Sequence, residues 1–436
     1  NDKGDKSTVA KVDVKPASDE AKKAIAGFQI PAGYKGSVFA AEPYLANPVS
    51  FSIDHKGRAY VVESFRVHSG VTDIRGHMDW LDDDLACRTV ADRRALMVKK
   101  TGDKFPDYEK SPERIRRIVD KNGDGIADEA TIFAEGFNKV EDGLAAGVLA
   151  RGTSVWFTCI PSLWKMEDPK NTGVATKTTA LSTGYGIHVG FLGHDLHGLI
   201  MGPDGRLYFS IGDRGFNVKT PNGDLVYPDM GAILRCWPDG SELEVFATGL
   251  RNPQELLFDD QGNLFTGDNN SDGGDQARWT HLVQGGDSGW RIGWQFLEQP
   301  NARGPWNSEG MWKPRHPQQP AFIIPPIANI GAGPSGVFYD PGTGLDPAHR
   351  GSFFMVDFRG APGGSGIHSF KLKPKGAGFE MADRKNFLWN ILATDAEVGP
   401  DGALYVLDWV NGWDLSGKGR ILSLIHISEP TRPERI

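Results

Sequence analysis

One short pattern recurs six times along the 436-residue chain and restricts its folds more than any other feature. A polar turn containing glycine runs directly into a short apolar strand. The six instances are DHKGRAYVVES (54–64), ARGTSVWFTCI (150–160), GPDGRLYFSIGD (202–213), DDQGNLFTGDN (259–269), HRGSFFMVDFRG (349–360) and GPDGALYVLDW (399–409). Their glycines, Gly57, Gly152, Gly205, Gly262, Gly351 and Gly402, lie 95, 53, 57, 89 and 51 residues apart. The shorter intervals suit one four-stranded blade with its loops. The longer ones suit a blade carrying an insertion, placed at 65–118 and 286–330. Repeats of this period predict a propeller, in which each blade buries its faces only against its neighbours. The expectation is an all-β, six-bladed β-propeller with loop and helical insertions, one domain over 30–421. The 55 glycines and 28 prolines agree with turn-rich β structure. One helix is expected at 82–100, DDDLACRTVADRRALMVKK, acidic at its start and basic at its end as the helix dipole favours.

The flanks read differently. Residues 1–29 are polar and are expected to form a disordered leader, such as remains after an export signal is removed. Residues 422–436, LSLIHISEPTRPERI, lose the strand rhythm and read as a non-native tail, with no role given to His426. The net charge of -8 comes with scattered basic residues, which argues against a nucleic-acid partner. No apolar run approaches the ~20 residues of a membrane span. Cys87, Cys159 and Cys236 form no CxxC or CxxCH pattern, so neither a zinc site nor a covalent haem is expected, and no disulfide is assigned.

Within this frame, chemistry-bearing residues gather before and after first-strand positions. His194 and His197 precede the strand of the third repeat and Asp213 follows it. GLRNPQ (249–254) puts Arg251 and Asn252 at the comparable place in the next repeat. GDNNSDGGDQARW (267–279) then supplies Asp268, Asn269, Asn270, Ser271, Asp272 and Asp275, an oxygen-rich loop suited to a hard cation such as Ca²⁺ or to a chain of Asx-turns. DKNGDGIADEA (120–130) sets Asp120, Asn122, Asp124, Ile126 and Asp128 in a calcium-loop pattern, although Thr131 stands where the closing glutamate would be. Trp290, Trp294, Trp306 and Trp312 lie in the second insertion, as sugar-stacking faces or as loop packing.

HGLIMGPDGRLYFSIGDRG, GLRNPQELLFDDQGNLFTGDNNSDGGD and GGDSGW, in this order, resemble the soluble glucose/sorbosone dehydrogenases that depend on pyrroloquinoline quinone. WLDDDLACRTVADR, GPSGVFYDPGTGL, DFRGAPGGSGIHSF and ILATDAEVGPDGALYVLDW bring the chain nearer to the membrane-bound dehydrogenase domain group of Planctomycetes and Verrucomicrobia. The resemblance implies a quinone- and calcium-dependent oxidation of a sugar or related alcohol. In it His197 is the general base, Asp213 orients it and Arg251 stands beside the quinone. Asn252, Asn269 and Arg359 are quinone contacts, and Asn270 and Ser271 hold Ca²⁺ through backbone carbonyls. The resemblance further implies a periplasmic or extracellular location and a cytochrome c-type electron acceptor, on a further segment or a separate protein. It also meets a mismatch, because the last repeat reads LATDAEV, with Asp395 and Glu397 where the glucose enzymes bring arginines for the cofactor's carboxylates. The residues by themselves leave open a calcium-dependent hydrolase or lactonase, with metal on Asp213 or Asp268, and a non-catalytic glycan- or protein-binding propeller.

Overall fold

The computed structural model describes residues 12–297, 309, 310, 315, 316, 318, 319 and 323–427. Six four-stranded antiparallel sheets stand around one axis, numbered here as blades I to VI. Blade I holds Pro48–Ile53, Ala59–Ser64, Glu113–Val119 and Glu129–Gly136. Blade II holds Ala145–Arg151, Ser154–Cys159, Ser162–Glu167 and Lys177–Thr183. Blade III holds Leu196–Met201, Leu207–Ile211, Gly231–Cys236 and Glu244–Leu250. Blade IV holds Pro253–Phe258, Leu264–Asp268, Arg278–Leu282 and Ala328–Asn329. Blade V holds Pro334–Asp340, Ser352–Asp357, Gly366–Lys375 and Gly378–Trp389. Blade VI combines Ala393–Val398, Leu404–Asp408 and Arg420–His426 with Tyr34–Ala41 from the start of the chain.

The first strands of successive blades touch one another, and that of blade VI touches that of blade I, so the ring is closed. Each of the six repeated turns joins a first strand to a second. Gly57, Gly205 and Gly402 sit there at φ +75°, +80° and +80°, a conformation open to glycine and strained for other residues. Apolar residues of adjacent blades interlock. Leu207, Phe209 and Ile211 of blade III, for example, pack on Leu149, Trp156 and Leu163 of blade II.

Several details differ from the sequence reading. The ring closes by pairing the chain's two ends, Tyr34↔His426 through Ala41↔Arg420, so the last strand runs to His426, past the expected boundary at 421. Burial explains this, since Leu422 and Leu424 are 2% and 1% exposed in the core between blades V and VI. The leader is partly structured, with a helix at Glu20–Ala24 and a bridge from Gln29 to Trp389. The single helix expected at 82–100 is two, Leu81–Leu85 and Val90–Thr101. Thr89 starts the second by accepting a hydrogen bond from the Asp92 N–H. A hairpin, Phe216–Thr220 with Gly223–Tyr227, stands outside the blades of the ring, its two-residue turn being Pro221-Asn222. All three cysteines are buried and free.

An acidic residue recurs at the end of the second strand. Glu63 in blade I accepts the Ala46 N–H and binds Arg114, its cross-strand partner on the third strand. Asp268 in blade IV accepts the Arg251 and Asn252 N–H groups and binds Arg278, again its cross-strand partner. Asp357 in blade V accepts Ala332 and Gly333 N–H and meets Arg359 and His368. Asp408 in blade VI faces Arg420 across the strands. Glu63, Asp268 and Asp357 fasten the chain entering their blades, and a buried charge needs such a partner.

Candidate active site

Blade III breaks that pattern, and the site forms where it does. Its second strand ends at Ile211, and Asp213 lies two residues further on. Across from this strand end lie Ala232 and Gly231, which offer no cation. The Asp213 carboxylate instead accepts from two side chains. Its Oδ1 is 2.7 Å from His194 Nδ1, and its Oδ2 is 2.8 Å from the indole Nε1 of Trp290. Burial by itself would raise the pKa of Asp213. His194, Arg251 and the Trp290 N–H together hold the carboxyl below the usual range, so Asp213 is ionised.

This corrects the sequence reading, in which Asp213 orients His197. His197, in the first strand, has its ring on the turn that precedes that strand and not on Asp213. Its Nε2 lies 2.8 Å from the Gly193 carbonyl. Burial drives the His197 pKa down to about 4, against the opposing pull of Asp195 and of hydrogen bonds to Gly193 and Asn252. His197 is thus held neutral and positions the turn. His194 sits just outside the strand, its ring 5.5 Å from that of Phe191. Among the described residues only its Nδ1 is hydrogen bonded, which leaves Nε2 for another group.

Arg251 enters from blade IV, and its backbone carbonyl accepts the Asp213 N–H. Its guanidinium is wholly buried between Phe191 and Trp290, 5.5 and 5.6 Å from the two ring centres. Nε donates to Gln295 and Nη2 to Asp272, whereas Nη1 has no partner among the described residues. An orphaned, buried, charge-bearing donor beside an imidazole–carboxylate pair fits an anionic or carbonyl-bearing group. Arg359 in blade V differs, being 40% exposed and held by Asp357. Asn252 stands beside His197 with its N–H on Asp268.

The carboxylates expected to bind metal are committed elsewhere. Asp268 is fully buried under two backbone N–H groups and Arg278, Asp272 pairs with Arg251, and Asp275 accepts from Ser271 N and Oγ. Asn269 Oδ1 accepts the Asn270 N–H, and Asn270 Nδ2 donates to the Asp275 carbonyl. The segment is a chain of turns, and the Ser271 carbonyl accepts from Gln295. The second expected loop, 120–128, is mostly exposed and is folded on its own side chains. Asp120 accepts from Gly123 and Gly125, Asn122 from Asp124, Asp124 from Ile126 and Asp128 from Lys121. Among the described residues no three His, Cys, Asp or Glu side chains gather as a metal site.

Asp395 and Glu397 do not form an exposed anionic pair. They accept the Phe51 and Ile53 N–H groups of blade I, and Asp395 shares a hydrogen bond with Glu255 of blade IV. Burial pushes Asp395 to about 7 and Glu397 to about 8, which removes much of the charge that would repel an anionic cofactor. Trp290 is buried and Trp294 packs edge-on against it; Trp306 and Trp312 lie outside the described residues.

Comparison with known proteins follows this geometry. Residues 20–413 match the family model of the domain of unknown function DUF7133, and the chain belongs to that family. Quinoprotein glucose dehydrogenase B of Acinetobacter calcoaceticus is 30% identical over 124 residues, 22% of this chain and 26% of the relative. The match thus spans about a quarter of that relative's length. Among solved structures, a glucose dehydrogenase-type oxidoreductase of Thermus thermophilus superimposes with TM-score 0.54 at 17% identity, covering 90% of this chain and 100% of the other. The quinone-bound aldose sugar dehydrogenase of Streptomyces coelicolor gives 0.51 at 18%, covering 91% and 99%. These neighbours share the propeller fold, and the chain is similar to quinone-dependent sugar dehydrogenases. Among the described residues no helix is long and apolar enough to cross a membrane.

Proposed function

We propose that the protein is a dehydrogenase of sugars or related alcohols that uses pyrroloquinoline quinone, with His194 as the general base. The observation that carries this reading is the Asp213 carboxylate on His194 Nδ1, with the half-free guanidinium of Arg251 packed on the same indole. When bound, the quinone supplies the two-electron acceptor for the substrate carbon. Arg251, Asn252 and Arg359 would hold it, and a calcium ion would sit on the backbone carbonyls of Asn270 and Ser271.

The chain's own residues do the rest. Asp213 fixes the proton on Nδ1, which leaves the Nε2 lone pair to take the proton of a substrate hydroxyl. The imidazolium so formed lies against an ionised carboxylate, and the fixed charge of Arg251 offsets negative charge developing beside it. The hydrolase reading needs metal on Asp213 or Asp268, whereas both carboxylates are held by protein donors on each oxygen. Export to the periplasm and transfer of electrons to a c-type cytochrome complete the proposal.

Purified protein, titrated with the quinone in Ca²⁺ buffer, should reduce a redox dye in the presence of an aldose. His194→Ala should lower kcat by about 10²–10⁴-fold, the range of a general base. His197→Ala should act mainly on stability. Wild-type turnover in His194→Ala, or no quinone binding by the wild-type protein, would overturn the reading.

A further inference from the structure

We propose that Trp290 is a positioning residue for the His194–Asp213 pair, delivered by the insertion after the third strand of blade IV so that docking of this segment completes the site. The inference deepens the reading above and rests on His194 being the base. It begins with the path of the chain. Arg278–Leu282 leads the chain away from the catalytic end of the ring, yet Trp290 contacts Asp213 at that end. The intervening residues run back along the outer strand of blade III. The Gly285 N–H donates to the Phe246 carbonyl, Thr248 and Asp287 form a parallel bridge, and the Trp290 N–H donates to the Gly249 carbonyl. Gly249 is at φ +74°, and a Cβ there would overlap Asp287, so only glycine lets the segment lie this close.

What arrives by this route is a donor that blade III lacks. In blades I, IV and V the equivalent carboxylate is satisfied by backbone N–H groups and by cations, with Glu63 and Asp268 each taking an arginine from their own third strand. Asp213 has one oxygen on His194, and its second takes the indole N–H of a residue 77 positions later. Trp290 is 0% exposed, and its ring also packs against Arg251. Without the indole N–H, Oδ2 loses its side-chain donor inside the protein, and the carboxyl is freed to rotate from the imidazole or to take up a proton. Either change releases the tautomer of His194. The indole thereby links docking of the insertion to the readiness of the base.

The test uses protein without quinone, so that its outcome is separate from turnover. Carbon-13 NMR of labelled aspartate should show Asp213 taking its proton at higher pH in Trp290→Phe, with proton affinity raised about tenfold. Should that variant not fold, the wild-type protein gives a second measurement. The Trp290 indole proton resonance should shift with the same midpoint as the Asp213 carboxyl. An unmoved Asp213 midpoint in folded Trp290→Phe, or an indole resonance indifferent to that titration, overturns the proposal. In quinone-loaded protein, Trp290→Phe should lower kcat about tenfold with KM within about twofold. NMR coupling without any quinone-dependent turnover would sink the dehydrogenase reading and leave the Trp290 link standing. Turnover without the coupling would do the reverse.

Discussion

Blades III and IV place an aspartate at nearly the same point and put it to opposite uses. Asp268 is enclosed by two backbone N–H groups and Arg278, all supplied within its own blade or at that blade's entry. Asp213, two residues past the end of its strand, takes His194 from the entry to its blade and Trp290 from an insertion in the next. The first arrangement fastens a loop. The second leaves an imidazole nitrogen available and makes its setting depend on a distant segment. The difference shows how one position of a repeat is given a new setting. The carboxylate is kept, its structural partners are removed, and a titratable side chain takes their place.

Exchanging the loss between the two blades tests the contrast most strongly. Arg278→Met leaves the buried Asp268 without its cation and should cost about 3–5 kcal/mol of stability, read by denaturant unfolding. Asp213→Asn should lower kcat by about 10³-fold, while costing less stability than Arg278→Met. If Asp213→Asn unfolds the protein as readily as Arg278→Met does, the two blades do not differ in the way described.

The axial carboxylates give a pH dependence of the next size. Their folded pKa values, about 7 for Asp395 and about 8 for Glu397, lie above those of the unfolded chain. The folded state therefore holds more protons between roughly pH 4 and 8, and stability contributed at low pH is lost as pH rises through that window. Asp395→Asn together with Glu397→Gln keeps an acceptor facing Phe51 and Ile53 and should flatten the slope in thermal melts. An unchanged slope would locate the titration elsewhere.

Two smaller effects complete the series. Thr89→Ala removes the cap of Val90–Thr101 and should cost about 1 kcal/mol. Calcium added to quinone-free protein should raise the melting temperature through the exposed 120–128 loop, and Asp120→Ala should abolish that shift. A shift that persists in Asp120→Ala would assign the cation to another site.

Much of the fold was legible because its period is written in local chemistry. A turn that favours glycine at positive φ, followed by an apolar strand, is a short-range signal, and six copies allow few closed arrangements. The boundary at 421 was misread for a related reason. The strand Arg420–His426 lies in sheet only because Tyr34–Ala41, nearly 400 residues earlier, pairs with it, and local rhythm carries no trace of that pairing. The single helix expected at 82–100 failed more locally, because the Thr89 cap outweighs an unbroken charge gradient.

The sequence by itself determined the number of blades, the position of each inner hairpin and the end of the ring at which histidine, aspartate and arginine collect. Which histidine meets Asp213 was decided by tertiary structure. His194 and His197 are three residues apart, yet the His194 ring reaches the carboxylate while the His197 ring bonds the Gly193 carbonyl of the turn before the strand. That choice, like the arrival of Trp290, depends on strand twist and on loop packing across blades. Such long-range geometry is not encoded in the spacing of any local motif.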